Sequence, residues 1–394
     1  MIYDSLIIGR GLIGSAAAKY ISNTQKNVAL IGPDEETVLD QKIVFSSHYD
    51  RARVQRIIGK DAASTLLNYQ SANEYASIEI ETGIHFHSTE GCLYVNPYGK
   101  DEYLDHAPAQ SQIFENNYSS FETGESLNLF MPDYNFPKSS AGIFETSPAG
   151  HINPRLLIKA QLKLFEKKGG KIFNDLVKAV NCENNQMQIV TSSGEIYQSK
   201  KVLLAPGAFV NFFDLLNQKL FLTLKGETTI WAKTSAEEAS RLSKLPALLY
   251  KINEPEIDDI YLVRPLQYPD GSFYLKMGAN FPNDIFFKSL KEIQDWFKSE
   301  SNEENLKIMK QALSNLIPSL NVEKSLEKKC IVSYTQHGKP YIGEVDKNLF
   351  VAAGGNGYSA MSSDTLGKIA ATLLLENKFP IEFFQEDFRP VFED

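Results

Sequence analysis

Three glycines set out the first piece of chemistry in this chain. Gly9-Arg10-Gly11-Leu12-Ile13-Gly14 fits G-x-G-x-x-G, a spacing that suits a pyrophosphate. Gly9 turns the chain tightly, Gly11 lets the backbone touch the phosphates, and Gly14 lets a helix pack against a sheet. The acidic residue expected about 20 positions on, to grip a ribose, is replaced by Gly32; Asp34 and Glu35 lie just beyond and could reach the ribose instead. A second group is basic. His48, Arg51, Arg53 and Arg56 fall within residues 48–56 of an acidic protein. They make either an ordinary surface loop or a loop that faces an anion. His48 and His337 are candidate acid–base groups. Cys92, Cys182 and Cys330 are an odd count without metal-ligand spacing, so no metal site is expected.

These residues need elements to hold them. Residues 3–8 are a short apolar run ending at Gly9, residues 15–22 continue as a small-residue helix, and Val28-Ala29-Leu30-Ile31 supplies a second buried strand. A glycine motif that follows a strand and opens a helix is the context that makes it a dinucleotide site, with the phosphates on the helix N-terminus. The motif alone does not separate FAD from NAD. Further on, residues 61–82 read as a helix capped by Asp61. Residues 84–95 read as strands, and residues 96–147 are weakly periodic. Asn153 and Pro154 announce another helix, closed by Lys167-Lys168-Gly169-Gly170. Residues 201–209 form a buried strand ending in Ala205-Pro206-Gly207, the shape needed where a strand's carboxyl end meets a ligand. Strand-like runs dominate residues 222–274, residues 288–317 are helical, and residues 349–357 return to strand and glycine turn before a last helix.

The 394 residues are 43% hydrophobic and 23% charged, ordinary for a soluble globular protein. The formal charge of −9 argues against nucleic acid as a partner, because nothing suggests a basic face for phosphates. No apolar run approaches the ~20 residues of a membrane span. The first strand begins almost at once, which leaves no room for a signal peptide, and the cysteine usage suits a reducing cytoplasm.

Taken together, the glycine motif, Gly150-His151-Ile152-Asn153-Pro154-Arg155, Ala205-Pro206-Gly207-Ala208, Gly338-Lys339-Pro340-Tyr341-Ile342-Gly343 and Ala352-Ala353-Gly354-Gly355-Asn356-Gly357 resemble the FAD-dependent D-amino-acid oxidase superfamily over nearly the full chain. Within it, three stretches look like the branch of monomeric sarcosine oxidase and N-methyltryptophan oxidase. Residues 46–56 are similar to that branch's Ser-His-His-Gly-Asp-x-Arg-x-x-Arg loop, with one extra residue after Asp50. The match implies Ser46 and His48 at the cofactor, Arg53 near the flavin and Arg56 on a substrate carboxylate. Tyr274-Leu275-Lys276-Met277-Gly278 resembles a Leu-Lys-x-Gly segment whose lysine promotes reaction with oxygen. Cys330-Ile331-Val332-Ser333-Tyr334-Thr335-Gln336 aligns with the stretch whose cysteine carries the flavin through a thioether. Ala205, Gly207, Gly354, Gly355, Asn356, Gly357 and Tyr358, with Asp34, complete the implied cofactor set. The chain also departs from the pattern: the lysine of the carboxylate clamp is missing from residues 357–363, Val332 replaces a tyrosine and Asn280 a histidine.

The implied fold is α/β, a Rossmann-type FAD domain with a doubly wound sheet beside an α+β substrate domain on a mostly antiparallel sheet. The expected division gives residues 1–85, 148–215 and 328–394 to the first and residues 86–147 and 216–327 to the second. The implied activity oxidises the CH–NH bond of a secondary amine or amino acid to an imine. The resemblance implies FAD as the cofactor, with covalent attachment through Cys330, O2 as the acceptor, H2O2 as the by-product and a monomer as the working form. A dehydrogenase using a protein or quinone acceptor, and a flavin-binding protein without turnover, remain open alternatives.

Overall fold

The computed structural model describes residues 1–35, 38–183 and 186–393. Strand β1 (Ile2–Ile8) buries Leu6, Ile7 and Ile8, because parallel strands carry helices or layers on both faces and so read as continuous apolar runs. It pairs in parallel with β2 (Val28–Ile31) and with the strand Ile196–Leu204. The eight-stranded sheet starts at Lys171–Phe173 and runs through β2 and β1 to Ile196–Leu204. Leu349–Ala353 joins the carboxyl half of that last strand and Gln186–Thr191 its amino half. The glycine motif therefore sits at the carboxyl ends of adjacent parallel strands, where open α/β sheets bind ligands.

Helix α1 (Leu12–Ile21) packs one face of this sheet together with the helices Pro154–Lys167 and Ser363–Glu376; Ala17, Ala18, Ile21, Ile158, Phe165, Leu366 and Ile369 share one core. The caps read from sequence form as expected. Asn153 accepts a hydrogen bond from the Leu156 amide at 3.2 Å. Asp61 caps α2 (Ala62–Thr82), accepting from the Ser64 amide at 2.7 Å.

The second sheet has nine strands and is mostly antiparallel: only Ala247–Tyr250 with Cys92–Asn96 runs parallel. Successive side chains in a strand point to opposite faces, and here that alternation separates core from cavity. Leu275 and Met277 join Ile230, Leu262, Met309 and Leu313 beneath the helix Glu303–Leu316. Lys276, Gly278, Thr229 and Tyr261 take the other face by register. A small third sheet, made of Arg53–Gln55, Gly150–Ile152 and His87–Ser88, bridges the two regions.

Residues 328–335, grouped by sequence with the glycine-motif pieces, belong to the strand Lys324–Thr335, which pairs along its whole length with Leu222–Thr234 in the nine-stranded sheet. A strand joins the edge that completes its hydrogen-bond ladder, whatever its side chains touch across a cavity. The weakly periodic residues 96–147 hold two helices, Glu102–Ile113 and Gly124–Phe130. Each starts at a side-chain cap: Asp101 accepts from Leu104 and Thr123 from Ser126. Among the described residues no helix is long and apolar enough to cross a membrane.

Candidate active site

Gly9 has φ +112°, and a Cβ there would lie 2.2 Å from the Ala205 carbonyl oxygen, so the turn that aims α1 admits glycine alone. A Cβ on Gly14 would lie 1.9 Å from the Gly9 oxygen, which makes Gly14 a packing residue beneath the turn. The result is a helix N-terminus pressed against the strand ends. Gly11 stands at its N-cap without a side-chain partner, leaving amide donors for an anion.

A cavity of about 410 Å³ opens there and runs to the face of the nine-stranded sheet, within the ~300–1,000 Å³ of small-molecule and cofactor sites. Gly9, Gly11, Leu12 and Ile13 line one end, Ser46, His48, Ala205 and Gly207 the middle, and Arg53, Arg56, Cys330 and residues 354–358 the far end. Asn356 ties that last loop to the second sheet, receiving the Thr335 amide at 2.9 Å and giving its own amide to the Ser333 carbonyl at 2.8 Å. The sequence-assigned residues thus converge on one cavity, with five exceptions. Asp34 is turned to Arg10 in an ion pair, and Glu35 is held by Arg155 through two hydrogen bonds, so neither carboxylate lines the cavity. Gly14 lies under the wall, and Lys276 lies behind it. His337 stands apart, bonded to the Arg389 carbonyl at 3.0 Å.

The centre of the site is a carboxylate to which sequence assigned no role. Asp50, 5% exposed, bridges the Lys276 ammonium and the Arg53 guanidinium and also accepts from the Tyr268 hydroxyl at 3.0 Å and the Arg51 amide at 2.6 Å. Burial would raise its carboxyl; the charges of Lys276 and Arg53 outweigh that and hold it well below the usual carboxylate range. Lys276 is 1% exposed, also bonded to the Ala52 carbonyl at 3.1 Å and 5.0 Å from the Tyr261 ring centroid. Burial, then the charge of Arg53, lower its pKa against the pull of Asp50. Arg53 reaches past Asp50 to the Ser47 carbonyl and to within 3.9 Å of the Cys330 Sγ. Burial raises the Cys330 thiol, and Arg53 draws it back. His48 is driven down to about 3 by burial and by Arg155, Arg53 and Arg10, so its imidazole is neutral at ordinary pH.

Arg56 also lines the cavity, 7% exposed, with its guanidinium carbon 4.9 Å from the Tyr103 ring centroid. Its Nε is buried without a hydrogen-bond partner among the described residues. An orphaned donor on a buried cation is costly; Arg56 itself lines the cavity, where a guanidinium can bind a planar carboxylate. Glu227, Asp259 and Tyr261 line the same end. Sequence reading passed over all three, because nothing local marks a lone acid inside a strand. Asp50 did carry a signal, its place in the Ser46-Ser47-His48-Tyr49-Asp50 loop that carries the family resemblance.

The residues present fit FAD. The uncapped helix start at Gly11 suits a pyrophosphate, the loop at residues 354–358 lines the cavity with three glycines, and Cys330 beside Arg53 lines the same cavity as a free thiol.

Comparison with known proteins agrees. The chain is 27% identical over 214 residues to N-methyl-L-tryptophan oxidase of Citrobacter koseri, covering 53% of this chain and 55% of that protein. It is 25% identical over 226 residues to the same enzyme of Escherichia coli K12, covering 55% and 56%. The chain thus spans about half the length of the curated relatives it matches. Among solved structures, NikD, described as an unusual amino acid oxidase essential for nikkomycin biosynthesis, superposes with TM-score 0.79 at 14% identity over 99% of this chain and 98% of that one. L-Proline dehydrogenase from P. horikoshii gives 0.75 at 18% identity over 97% and 96%. These likenesses establish the fold. The family model of the FAD-dependent oxidoreductases (DAO) matches residues 4–373, and this chain therefore belongs to that family.

Proposed function

We propose that the chain is an FAD-dependent oxidase that converts the CH–NH bond of a secondary amine or amino acid to an imine, with O2 as electron acceptor and H2O2 as product. The observation that carries this reading is one cavity lined by buried Arg56, Arg53 and Cys330, with Asp50 joining Arg53 to Lys276 beside it. FAD, when bound, supplies the two-electron acceptor for the hydride that leaves the substrate's α-carbon. Arg56 binds the substrate carboxylate, held flat by the Tyr103 ring. Two cations against one carboxylate leave the Arg53–Asp50–Lys276 cluster with a net positive charge, which favours negative charge developing beside it. Cys330 is the thiol for covalent attachment. The glycine-motif domain holds the cofactor and the nine-stranded sheet presents the substrate. The chain works as a monomer in a reducing compartment, which suits its three free cysteines.

The clamp differs from the one the sequence resemblance implies. Residues 357–363 place no lysine at the cavity, and the loop offers Tyr358 there instead. Losing one of two charge-assisted bonds costs about 1.5–3 kcal/mol, so sarcosine is a poor substrate and a larger amino acid is the better one. A second reading keeps the same oxidation but gives the electrons to a protein or quinone; it is favoured by Lys276 being engaged by Asp50 behind the cavity wall. Oxygen consumption with an oxidisable amine separates the two. The oxidase reading expects fast reoxidation in air with stoichiometric peroxide, and slow reoxidation without peroxide would overturn it.

A further inference from the structure

Glu227 is a buried acid that the reading above leaves without work. It is 8% exposed and lines the substrate end of the cavity. Register places it directly opposite Cys330 on the neighbouring strand. On its other side Thr228 pairs with Ala279, so the next step of that ladder sets Glu227 beside Asn280, which pairs in turn with Asp259. Residues opposite one another in an antiparallel pair share a face, with Cβ atoms about 4.5–5.5 Å apart. Cys330, Glu227, Asn280 and Asp259 therefore form one row across four adjacent strands, all lining the cavity.

The row is unevenly satisfied. Asn280 donates to Asp259 and accepts from Lys225, and Lys225 is also paired with Asp284 at 2.8 Å. Glu227 has none of these partners; the hydroxyl of Tyr261 lies near enough to lower its carboxyl. The groups that face it are Lys225 on its own strand, Tyr261, Lys276, Arg53, Cys330 and Tyr334. A carboxylate at this depth with spare acceptor capacity needs a donor from a ligand.

We propose that Glu227 receives the substrate's amine: the substrate binds as a zwitterion, carboxylate to Arg56 and ammonium to Glu227, and Glu227 takes one proton from nitrogen before oxidation. The proton moves from R2NH2+ to the carboxylate, giving R2NH and a neutral carboxylic acid. The nitrogen lone pair then forms the C=N bond as hydride leaves the α-carbon for FAD, and Glu227 returns its proton to solvent when the product departs. Burial raises the carboxyl of Glu227, with Lys225, Tyr261, Lys276 and Arg53 opposing that rise, which makes it a better proton acceptor than an exposed glutamate. The selected class is amino acids carrying both charges, in preference to amines or acids carrying one.

This inference rests on the proposed oxidase activity, and its test separates the two. The flavin-loaded protein and its Glu227→Gln variant are titrated anaerobically with proline and N-methyl amino acids, and with their thioether isosteres, in which sulfur replaces the charged nitrogen. Glu227→Gln should weaken binding of the ammonium ligands about ten- to a hundredfold while the isosteres bind as before. It should also abolish the acid limb of kcat/KM, leaving only the substrate's own amine titration. Tyr261→Phe removes a hydroxyl that lowers the carboxyl, so that limb should move to higher pH. If ammonium ligands and isosteres weaken equally, or neither changes, Glu227 does not receive the amine. If no amine bleaches the wild-type flavin, the oxidase reading itself falls.

Discussion

Asp50→Asn tests the bridging carboxylate most sharply. The substitution keeps the shape and leaves an oxygen to accept from Tyr268 and the Arg51 amide, but it removes the charge between Lys276 and Arg53. Removing one member of a buried ion pair leaves an uncompensated charge and costs about 3–5 kcal/mol; here two cations are left facing each other. The pH dependence follows from the direction of each shift. The Asp50 carboxyl is held low in the fold, so its contribution is complete above the unfolded value of about 3.9 and is lost as pH falls through the folded one. The Lys276 pKa is already lowered, and without Asp50 it falls further. Between that folded value and the unfolded value of about 10.4 the unfolded chain binds the extra proton, so the variant gains stability as pH rises. Urea denaturation should show the deficit at about pH 6 and a much smaller one at about pH 9. A deficit below about 1 kcal/mol, typical of an exposed pair, or one that does not change with pH, would refute the buried bridge.

Arg56→Lys keeps the charge but loses the planar fork, and it should raise KM for carboxylate substrates by about ten- to a hundredfold without affecting the matching amines that lack a carboxylate; steady-state kinetics on both decides it. Gly278→Ala would put a Cβ 2.1 Å from the Tyr261 ring; the ring must move, costing about 1–3 kcal/mol, readable as a lower Tm together with slower turnover. Cys330→Ser should leave a folded protein whose yellow colour stays in the supernatant after acid precipitation, whereas in the wild type it follows the pellet; colour released equally from both would remove the thioether.

Sequence carried the parts of the fold that are local. The glycine turn, the Asp61 and Asn153 caps and the buried strands at residues 28–31 and 349–353 are each specified by neighbours a few positions away. Part of the cavity's lining was legible too, because glycine turns and the basic loop announce themselves. The electrostatic centre was not. Asp50 acquires its role only from Lys276, 226 positions on, and Glu227 only from a row across four strands. Asp34 reads as a ribose ligand until Arg10 is seen to hold it. The helices within residues 96–147 were hidden for another reason. Pro108 lies inside the first and few of its positions are buried, so neither periodicity nor propensity singled it out.

The proposed oxidation requires that this cavity present an amino acid to FAD for loss of hydride. The most direct measurement is the visible absorbance of the flavin-loaded protein, mixed without oxygen against a panel of N-methyl and cyclic amino acids. The account predicts that at least one zwitterionic member bleaches the flavin in wild type and does so far more weakly with Arg56→Lys. An unchanged spectrum across the whole panel would contradict it.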